Sequence, residues 1–551
     1  MATAVLPSPS SAPAPSGAPA PLTPAQAAAR RKAEVNADPR YANRYLIAIA
    51  VTMAAVLELI DTSIVNVAIP HMMGNLGATL DEISWVSTGY IIANVIVIPM
   101  SGWLSSYFGR RRYLTGSILL FVAASFFCGA ATSLGGLVLW RVIQGLGGGA
   151  LLSTAQSTLF EVFPPEEVGV GQAMFGVGVM VGPTVGPTLG GYIVDNLSWP
   201  WIFYINVPLG ILAALMTWTY VKNSRFGQKA QSIDVIGIVL LTLAVGALQW
   251  MLERGERLDW FESPFITTLA AVSLTSAVLL VWWELRTPEP VINFRVLKSV
   301  QLATGVLFAG SLGLALYGAV FVIPVFLQNL HGYTAQQTGL VILPGAIASA
   351  ITMASMSRMV GKFDARISIT VGVCLFFVCM LWMSDMTLAS GSDEMFWPLI
   401  IRGFAMGLIF VPLTNASMAE LTPQQIPQGT GMFNLMRQLG GSLGIAVIAT
   451  LLSRYTKVAK AVLTTHLVNG DPATMERLNM ITRGLESRGI NALQAKQQAL
   501  ALMDASVTAQ ASVISFSKIY LLSGTTFLCA LPLLLFWKHG RGRPMGGGAA
   551  H

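Results

Sequence analysis

Long apolar runs separated by short polar segments recur along the whole chain of 551 residues. A helix needs roughly 20 mostly apolar residues to cross the hydrocarbon core of a bilayer. Runs of that length occur fourteen times, which predicts an all-α polytopic membrane protein with fourteen transmembrane helices. They lie at residues 46–70, 83–104, 113–134, 136–160, 170–194, 201–221, 234–252, 264–285, 301–327, 337–360, 367–385, 396–420, 430–452 and 513–537.

A short internal repeat indicates how these helices are grouped. NVAIPHMMGNLGAT (66–79) ends the first run and FVIPVFLQNLHGYT (321–334) ends the ninth, with Ile-Pro and Asn-Leu at matching positions. Span nine therefore corresponds to span one, as the first helix of a second repeat. This predicts a 6+2+6 arrangement, in which spans seven and eight are an insert between two sets of six. The predicted segments are a disordered cytoplasmic tail (1–44), a six-helix bundle (45–222), a two-helix insert with its linkers (223–299), five helices of a second bundle (300–453), an outer helical hairpin (454–512), and the last helix with a cytoplasmic tail (513–551).

Basic residues are distributed unevenly between the two sides of the predicted membrane. The net charge is +7, and 20 of the 33 Lys and Arg lie in segments on the side of the two termini. The short loops on the opposite side hold only Arg254 and Arg257. This asymmetry satisfies the positive-inside rule and predicts that both termini are cytoplasmic. The basic balance is thus explained by topology, and we expect no nucleic-acid partner.

Residues 176–191, GVGVMVGPTVGPTLGG, combine six glycines and two prolines within one uncharged run. On a helix, glycines at every fourth position form a ridge without side chains, against which another helix can pack closely. Small-residue packing alone would explain a single pair of glycines. Because the prolines also remove amide donors, we expect a bent helix pressed on a partner, serving as a seal or pivot. The motif consists of Gly178, Gly182, Pro183, Gly186, Pro187, Gly190 and Gly191.

Two carboxyl side chains, Glu58 and Asp61, lie inside the apolar run LELIDTSIVNVAIP (57–70). A charge at the bilayer centre costs about 3 kcal/mol on insertion scales. A carboxyl there favours its neutral form until water or a cation reaches it, so it could carry a proton or meet a cationic substrate. The alternative is a structural carboxyl that is hydrogen-bonded to neighbouring helices. We predict proton coupling at Asp61 first and at Glu58, one turn earlier, second.

Three arginines also lie inside predicted spans. Arg141, in LWRVIQGLGGGALLS (139–153), keeps its charge at any ordinary pH, so its field would favour proton release from a nearby carboxyl. Snorkelling to the membrane edge is the alternative. Arg402 and Arg437 could each have a functional role or could form structural contacts between helices. The candidates for a substrate cavity are Gln144, Arg402, Tyr317 and Asn66.

The tight inner turn GWLSSYFGRRRYL (102–114) joins the second and third runs. A topogenic basic loop would explain its charge but not both of its glycines. We therefore predict an inner-loop gate formed by Gly102, Gly109, Arg110 and Arg111.

Enzyme motifs are either absent or misplaced. GGSLG (440–444) fits the hydrolase nucleophile pattern but lies inside a predicted membrane helix instead of after a strand. The sequence contains neither the phosphate-binding pattern G-x-x-x-x-G-K-[ST] nor the metal-binding pattern H-E-x-x-H. We expect no enzyme activity, no catalytic residue, no cofactor and no metal site.

Together these motifs resemble those of the fourteen-span EmrB/QacA-type drug–proton antiporters of the major facilitator superfamily. The resemblance covers about residues 46–540, and Ser106 departs from the loop motif, which usually has an acid there. The five stretches that resemble family motifs come from the first span, the inner loop, and the fourth, fifth and sixth spans. In that order they are LIDTSIVNVAIP (59–70), GWLSSYFGRRR (102–112), LWRVIQGLGGG (139–149), GVMVGPTVGPTLGG (178–191) and WPWIFYINVPLG (199–210). A further stretch, ALQWMLERGERLDWF (247–261), is similar to the EmrB branch of the family.

The resemblance implies two six-helix bundles that rock around a central cavity between inward-open and outward-open states. It implies proton-driven efflux of lipophilic drugs or toxic compounds across the bacterial inner membrane, with Arg141 as the proton-linked arginine. For EmrB-like members it also implies a periplasmic adaptor of the EmrA type and an outer-membrane channel, with the hairpin 454–512 as the expected contact.

Three other functions remain open at this point. The same machinery could export one natural metabolite, such as a siderophore or a fatty acid. A non-transporting membrane sensor would need a signalling domain, which neither terminal segment offers. The third alternative is an importer, but the fifth-span motif argues against import, because within the resembled family that motif is associated with antiporters.

Overall fold

The computed structural model describes residues 38, 41–224, 232–359, 364–467 and 471–537. The predicted tails lie mostly outside this part of the chain, at residues 1–37 and 538–551, and so do parts of the basic inner connectors. Residues 1–43 and 44–551 form two separate units, and every helix named below belongs to the second.

Within the described residues, fourteen helices are long and apolar enough to cross a membrane, which confirms the predicted number. No β-strand occurs in that part of the chain. The fourteen long helices and one shorter helix, α14, are numbered in chain order. They are α1 (Arg44–Leu76), α2 (Leu80–Phe108), α3 (Arg110–Gly129), α4 (Leu134–Val162), α5 (Val168–Asn196), α6 (Trp201–Tyr220), α7 (Val235–Arg254), α8 (Pro264–Glu284), α9 (Val300–His331), α10 (Ala335–Ser357), α11 (Ala365–Ser384), α12 (Ser392–Met418), α13 (Ile426–Thr465), α14 (Pro472–Glu486) and α15 (Ala492–Phe536).

The sequence repeat corresponds to a repeated turn. Gly77 after α1 and Gly332 after α9 both adopt positive φ, at 61° and 66°, a conformation that glycine reaches without steric cost. Two residues later, Thr79 and Thr334 cap α2 and α10, and each forms a reciprocal capping box with the residue three positions on. The same device therefore ends the first helix and starts the second in both repeats.

Helix packing follows this repeat. In the N-terminal set (α1–α6), α1 packs against α4, α5 and α6. In the C-terminal set (α9–α13 and α15), α9 packs against α12, α13 and α15. The two sets meet where α5 packs on α10 and α2 packs on α13. The first helix of each set thus contacts three helices of its own set, and the side chains on those faces, such as Asp61 on α1, are buried.

The two extra helices lie at the periphery. α7 packs against α8 and α2, and only 22% of the most apolar window of α8 is buried. A helix that is apolar all round and so little buried presents most of its surface to lipid.

The outer segment is a continuation of two membrane helices. α13 runs on to Thr465 and α15 begins at Ala492, so both helices extend well beyond the apolar runs 430–452 and 513–537. Between them, α14 packs on α15. Asp471 caps α14, and hydrogen bonds from Thr474 hold the pKa of that carboxyl below its usual range. We call this assembly of α14 and the outer parts of α13 and α15 the outer hairpin.

Candidate functional site

Asp61 lies at the centre of a buried polar cluster between α1, α4 and α6. Its carboxylate accepts hydrogen bonds from Arg141 Nη1 at 2.6 Å and from Gln144 Nε2 and Asn206 Nδ2 at 2.9 Å each. All four side chains are at most 1% exposed. Arg141 also donates to Gln144 Oε1 at 2.8 Å and to the Val86 carbonyl at 3.0 Å. The two opposite charges are therefore paired and shielded; we call these four residues the Asp61 cluster.

Aromatic rings enclose the guanidinium of the cluster. The Tyr90 and Phe203 ring centroids lie 4.1 Å and 5.6 Å from Arg141 Cζ. A desolvated cation is attracted to an aromatic face at such distances. Arg141 thus points into the protein, and the alternative that it snorkels to the membrane edge is wrong for this structure.

Glu58 has a separate environment. Its Oε1 accepts a hydrogen bond from Asn94 Nδ2 at 2.8 Å, whereas its Oε2 is buried and has no partner among the described residues. The side chain is 3% exposed. The structure therefore brings two of the three predicted proton-coupling residues, Asp61 and Arg141, together and leaves Glu58 outside their cluster with one oxygen available for a proton or a water molecule; the coupling role of all three stays a prediction.

The glycine ridge of α5 packs on α1, the helix that carries both acids. A Cβ atom added at Gly178, Gly182, Gly186 or Gly190 would collide with α1, the residues met being Val56, Leu59, Ser63 and Ile64 in that order. Glycine thus sets the close approach of the two helices over three turns. α5 itself is one helix from Val168 to Asn196 with both prolines inside, and its role as a seal stays a prediction.

The remaining residues of the α5 motif face elsewhere. A Cβ at Gly191 would lie 3.5 Å from the Gln336 amide nitrogen of α10, so this glycine faces the C-terminal set. Pro183 lines a cavity described below. Pro187 lies inside the same helix, where it removes one amide donor.

The predicted inner-loop residues divide into two groups, of which the glycines form the first. A Cβ at Gly102 would lie 3.0 Å from the Pro427 backbone, so this glycine permits close contact between α2 and α13. Gly109 has a φ of 82° and separates α2 from α3. Ser106, where the resembled motif has an acid, donates to the Gly102 carbonyl of its own helix at 3.0 Å.

The arginines of this turn bind within the N-terminal set. Arg110 forms an ion pair with Glu161 of α4. The Arg111 guanidinium lies 4.1 Å from the Trp218 ring centroid of α6. The turn is thus anchored on both neighbours, and its gating role stays a prediction.

A cavity lies between α5 of the N-terminal set and α9, α10 and α12 of the C-terminal set. Its polar lining consists of Thr184, Tyr317, Ser349 and Arg402, and its apolar lining includes Val179, Met180, Leu316 and Met406. Two of the four predicted cavity residues, Tyr317 and Arg402, line it. Gln144 belongs to the Asp61 cluster instead, and Asn66 is an exposed residue of α1 that lies 3.4 Å from Ser87 Oγ.

Arg437 takes part in a polar bridge between the two sets. It donates to Asn434 Oδ1 at 3.2 Å and to the Tyr317 hydroxyl at 3.3 Å. Asn434 in turn donates to Gln156 Oε1 of α4 at 2.6 Å. Sequence reasoning missed Asn434 and Gln156, and also Asn94 and Asn206. The signal common to all four is an amide side chain inside an apolar run.

Comparison with known proteins places this geometry in a family. The family model described as Major Facilitator Superfamily matches residues 51–445. The multidrug export protein EmrB of Escherichia coli (strain K12) is 34% identical over 92% of this chain and 98% of its own length. The fatty acid resistance protein FarB of Neisseria gonorrhoeae is 31% identical over 89% of this chain and 96% of its own.

A more distant relative and a solved structure agree with these matches. The colistin resistance protein EmrB of Acinetobacter baumannii is 27% identical over 88% of this chain and 94% of its own. The crystal structure of the human organic anion transporter MFSD10 (TETRAN) superposes with a TM-score of 0.56 at 13% identity, covering 88% of this chain and 99% of that one. At that identity the likeness concerns the fold alone.

Proposed function

This chain belongs to the Major Facilitator Superfamily as an EmrB-type, multi-pass membrane transporter, and from that premise we propose that it exports lipophilic toxic compounds in exchange for protons. The bacterial inner membrane is the proposed location, with both termini in the cytoplasm. The drug-export and resistance names of the relatives support the direction of transport.

The observation that carries the proton part is the Asp61 cluster. Asp61 is 0% exposed inside a membrane helix, and Arg141 is a cation that cannot release its own proton. A proton and the guanidinium therefore compete for the same carboxylate. When α1, α4 and α6 separate, the donors withdraw and the carboxyl takes a proton; when they close again, the ion pair re-forms and the proton is expelled.

Alternating access makes this competition directional. We propose that protonated Asp61 holds the outward-open form, that substrate from the inner leaflet or cytoplasm competes with the proton, and that Arg141 assists proton release inward. One charge crossing 100 mV is worth about 2.3 kcal/mol. At about 1.4 kcal/mol per tenfold step, that energy sustains a gradient of about fifty-fold for an uncharged substrate; a monovalent cation exchanged for one proton is driven by the pH gradient alone.

Helix α5 is the proposed connection between the proton site and the substrate. One of its faces carries the glycines that pack on α1, next to Asp61. Another face places Val179 and Pro183 in the cavity that Arg402 also lines. A substrate in the cavity would press on the helix that positions the proton-carrying helix, and the same tight contact would seal the path against uncoupled proton leakage.

Two extensions of this function have specific support. The FarB relative favours the alternative of a dedicated exporter of one metabolite, such as a fatty acid. EmrB-type membership supports a periplasmic adaptor and an outer-membrane channel as partners, with the outer hairpin as the contact.

The test is proton flux in proteoliposomes with an imposed pH gradient and an added lipophilic cationic dye. We expect dye-triggered proton movement in the parent protein, none in Asp61→Asn, and parental movement in the control Asp81→Asn, whose side chain is 74% exposed. Equal movement in the parent and Asp61→Asn would overturn Asp61 as the coupling site and direct attention to Glu58. A parent that responds to no dye would favour the single-metabolite exporter.

A further inference from the structure

We propose that the loop between α7 and α8 is a strap that holds the outer side of the transporter closed and detaches from the C-terminal set when that side opens. We call residues 254–262 the outer strap, and the outer side is the side of the outer hairpin. The proposal rests on the export function above for one element, the alternation between inward-open and outward-open states. It follows from two independent observations, which are the contacts of the loop and the conformation of its backbone.

The strap lies where the two helix sets meet. α7, which leads into it, packs against α2 of the N-terminal set and against α13 of the C-terminal set. The outer ends of the sets are in contact in this structure, because a Cβ added at Gly191 of α5 would lie 3.5 Å from the Gln336 amide nitrogen of α10. A loop at the outer end of α7 is therefore within reach of both sets while the outer side is closed.

One end of the strap is bound to the N-terminal set by several contacts. Arg254 donates to the Asp81 carbonyl at 3.1 Å and to Ser84 Oγ at 3.0 Å. Its Cζ atom lies 5.3 Å from the Trp85 ring centroid. Arg257 forms an ion pair with Asp81 at 3.0 Å, which adds little because the Asp81 side chain is 74% exposed. The strap is thus fixed to the first turns of α2.

The other end of the strap is joined to the C-terminal set by one side chain. The Trp260 indole Nε1 donates to Thr450 Oγ1 of α13 at 3.0 Å. Among the described residues, this is the one hydrogen bond between the strap and that set. It joins two neutral groups, and such bonds are weaker than those of a charged guanidinium. When α2 and α13 separate at their outer ends, the Trp260 bond is therefore the attachment that breaks.

The backbone of the strap has a conformation that its residues disfavour. Asp259 and Trp260 have φ angles of 53° and 52°, and they are the two non-glycine residues with positive φ in the described part of the chain. A bulky side chain is a rare occupant of this region. Strain of this kind persists only where the surroundings impose it, and it clusters in segments that change conformation.

Contacts of Trp260 impose the strained conformation. A Cβ added at Gly255 would lie 2.6 Å from the Trp260 ring, so the ring packs on a residue without a side chain. The Trp260 amide donates to the Gly255 carbonyl at 2.8 Å. Once Thr450 moves away with α13, the indole loses its partner and the backbone can relax. The hydrogen bond favours the closed outer side and the strain opposes it, so the strap is poised between two states.

The test measures the distance between spin labels on the outer ends of the two sets by double electron–electron resonance on the purified full chain. The labels are attached at Asn75→Cys on α1 and at Asp385→Cys directly after α11, and both native residues are exposed. The exposed Cys374 and Cys529 are first replaced by serine, and the other two cysteines are buried. The ratio of long to short distances reports the ratio of open to closed outer sides.

Two variants remove the hydrogen bond from opposite ends. Trp260→Phe keeps a ring and loses the N–H, and Thr450→Val keeps the shape and loses the acceptor. We expect each to raise the ratio of open to closed molecules about fivefold, the typical net contribution of one neutral hydrogen bond. The double variant should open no further than either single variant, because both changes remove the same bond.

The matched control is Trp283→Phe, at the inner end of the same two-helix insert. It also removes an indole donor, since Trp283 Nε1 donates to Asp234 Oδ1 at 2.9 Å. This bond lies within the insert and joins neither helix set, so the ratio should equal that of the parent.

Asp259→Gly tests the strain, with the opposite sign. Glycine adopts positive φ without steric cost, and the Asp259 side chain is exposed. The closed strap becomes less strained, so the ratio of open to closed molecules should fall about twofold. Substitutions at two neighbouring residues that shift the ratio in opposite directions are not explained by a general loosening of the loop.

Unchanged ratios in both Trp260→Phe and Thr450→Val would overturn the proposal, and so would an equal rise in Trp283→Phe. If one of the first two variants does not fold, the other decides. A single distance in the parent and in every variant would also contradict a strap that detaches. The export function is judged separately, by dye-triggered proton flux in the parent, and its absence would overturn exchange while the distance result stands.

Discussion

Helices α1 and α9 end alike and differ in the middle. Each is followed by a glycine with positive φ, Gly77 or Gly332, and by a threonine that starts the next helix. With Ile69 aligned on Ile323, however, Asp61 corresponds to Ala315 and Glu58 to Leu312, and both counterparts are fully buried apolar residues. The second copy has one extra residue between the Asn-Leu pair and the glycine, and the acids occur in the first copy only.

The fourth helices of the two sets differ in a related way. Arg141 on α4 is neutralised inside its own set by Asp61. Arg402 on α12 has no carboxylate within ion-pair distance among the described residues and reaches the cavity. The arginine of the fourth helix is therefore paired with an acid in the first set and has no such partner in the second. The difference supports a division of labour in which the N-terminal set handles protons and the C-terminal set selects the substrate.

Removing Arg141 should have the largest effect on this contrast. Arg141→Met leaves Asp61 buried without its cation, and breaking a buried ion pair in this way costs about 3–5 kcal/mol. We expect a strongly lowered melting temperature and no dye-driven proton flux. The double variant Asp61→Asn/Arg141→Met should recover much of the stability and none of the flux. A single variant as stable as the parent would contradict a closed, paired cluster.

Glycine substitutions should test the packing that both sets share. Ala at Gly186 would collide with Ser63 of α1, and Ala at Gly444 of α13 would lie 2.9 Å from Leu314 of α9. We expect each to cost about 1–3 kcal/mol, measured as a fall in melting temperature. Gly116→Ala is the control, because no atom lies within 4 Å of its added Cβ. Loss of stability in one set only would show that the close packing is not common to both.

Asn206 should have a smaller effect, confined to the N-terminal set. Asn206→Ala removes one of three donors to Asp61, and a hydrogen bond to a charged group is worth about 1.5–3 kcal/mol. We expect dye-driven proton flux to fall about tenfold or more while the protein remains folded on size-exclusion chromatography. Parental flux would mean that Arg141 and Gln144 alone hold the carboxylate in place.

The smallest effect is expected at the position that corresponds to Asp61 in the second repeat. Ala315→Ser adds a hydroxyl that can bond to the carbonyl one turn earlier, which usually changes stability by well under about 1 kcal/mol. Dye-driven proton flux should stay within about twofold of the parent, since the added hydroxyl brings no charge and can donate to a carbonyl of its own helix. A loss of coupling like that of Asp61→Asn would refute the proposed division of labour.

The apolar runs were sufficient to predict the number of membrane helices, because a bilayer demands a fixed apolar length from each one. They were not sufficient to locate the helix ends outside the membrane. The outer parts of α13 and α15 are polar and helical, so hydropathy marks where lipid ends and not where the helix ends. The pairing of Asp61 with Arg141 could be anticipated, since each charge inside an apolar run needs a partner.

The remaining members of the cluster could not be found in this way. Asn206 lies 145 positions from Asp61, and nothing in its own segment specifies which helix its amide meets. Gln144 was assigned to a substrate cavity because its position one turn after Arg141 does not reveal the rotation of α4. Such contacts depend on the rotational setting of helices that are distant in sequence, which an apolar pattern leaves open.

The 40-residue helix α13 gives the molecule a mechanical property. At 1.5 Å per residue it is about 60 Å long, twice the thickness of the hydrocarbon core. It runs unbroken from Pro427, at the contact with α2, past Arg437 to the outer hairpin. A tilt of about 10° around its middle would displace the outer tip by about 5 Å, from that length alone. A helix of this length converts a small tilt at its middle into a shift of several ångströms at each end, and under the proposed transport cycle such a shift would reach the adaptor contact.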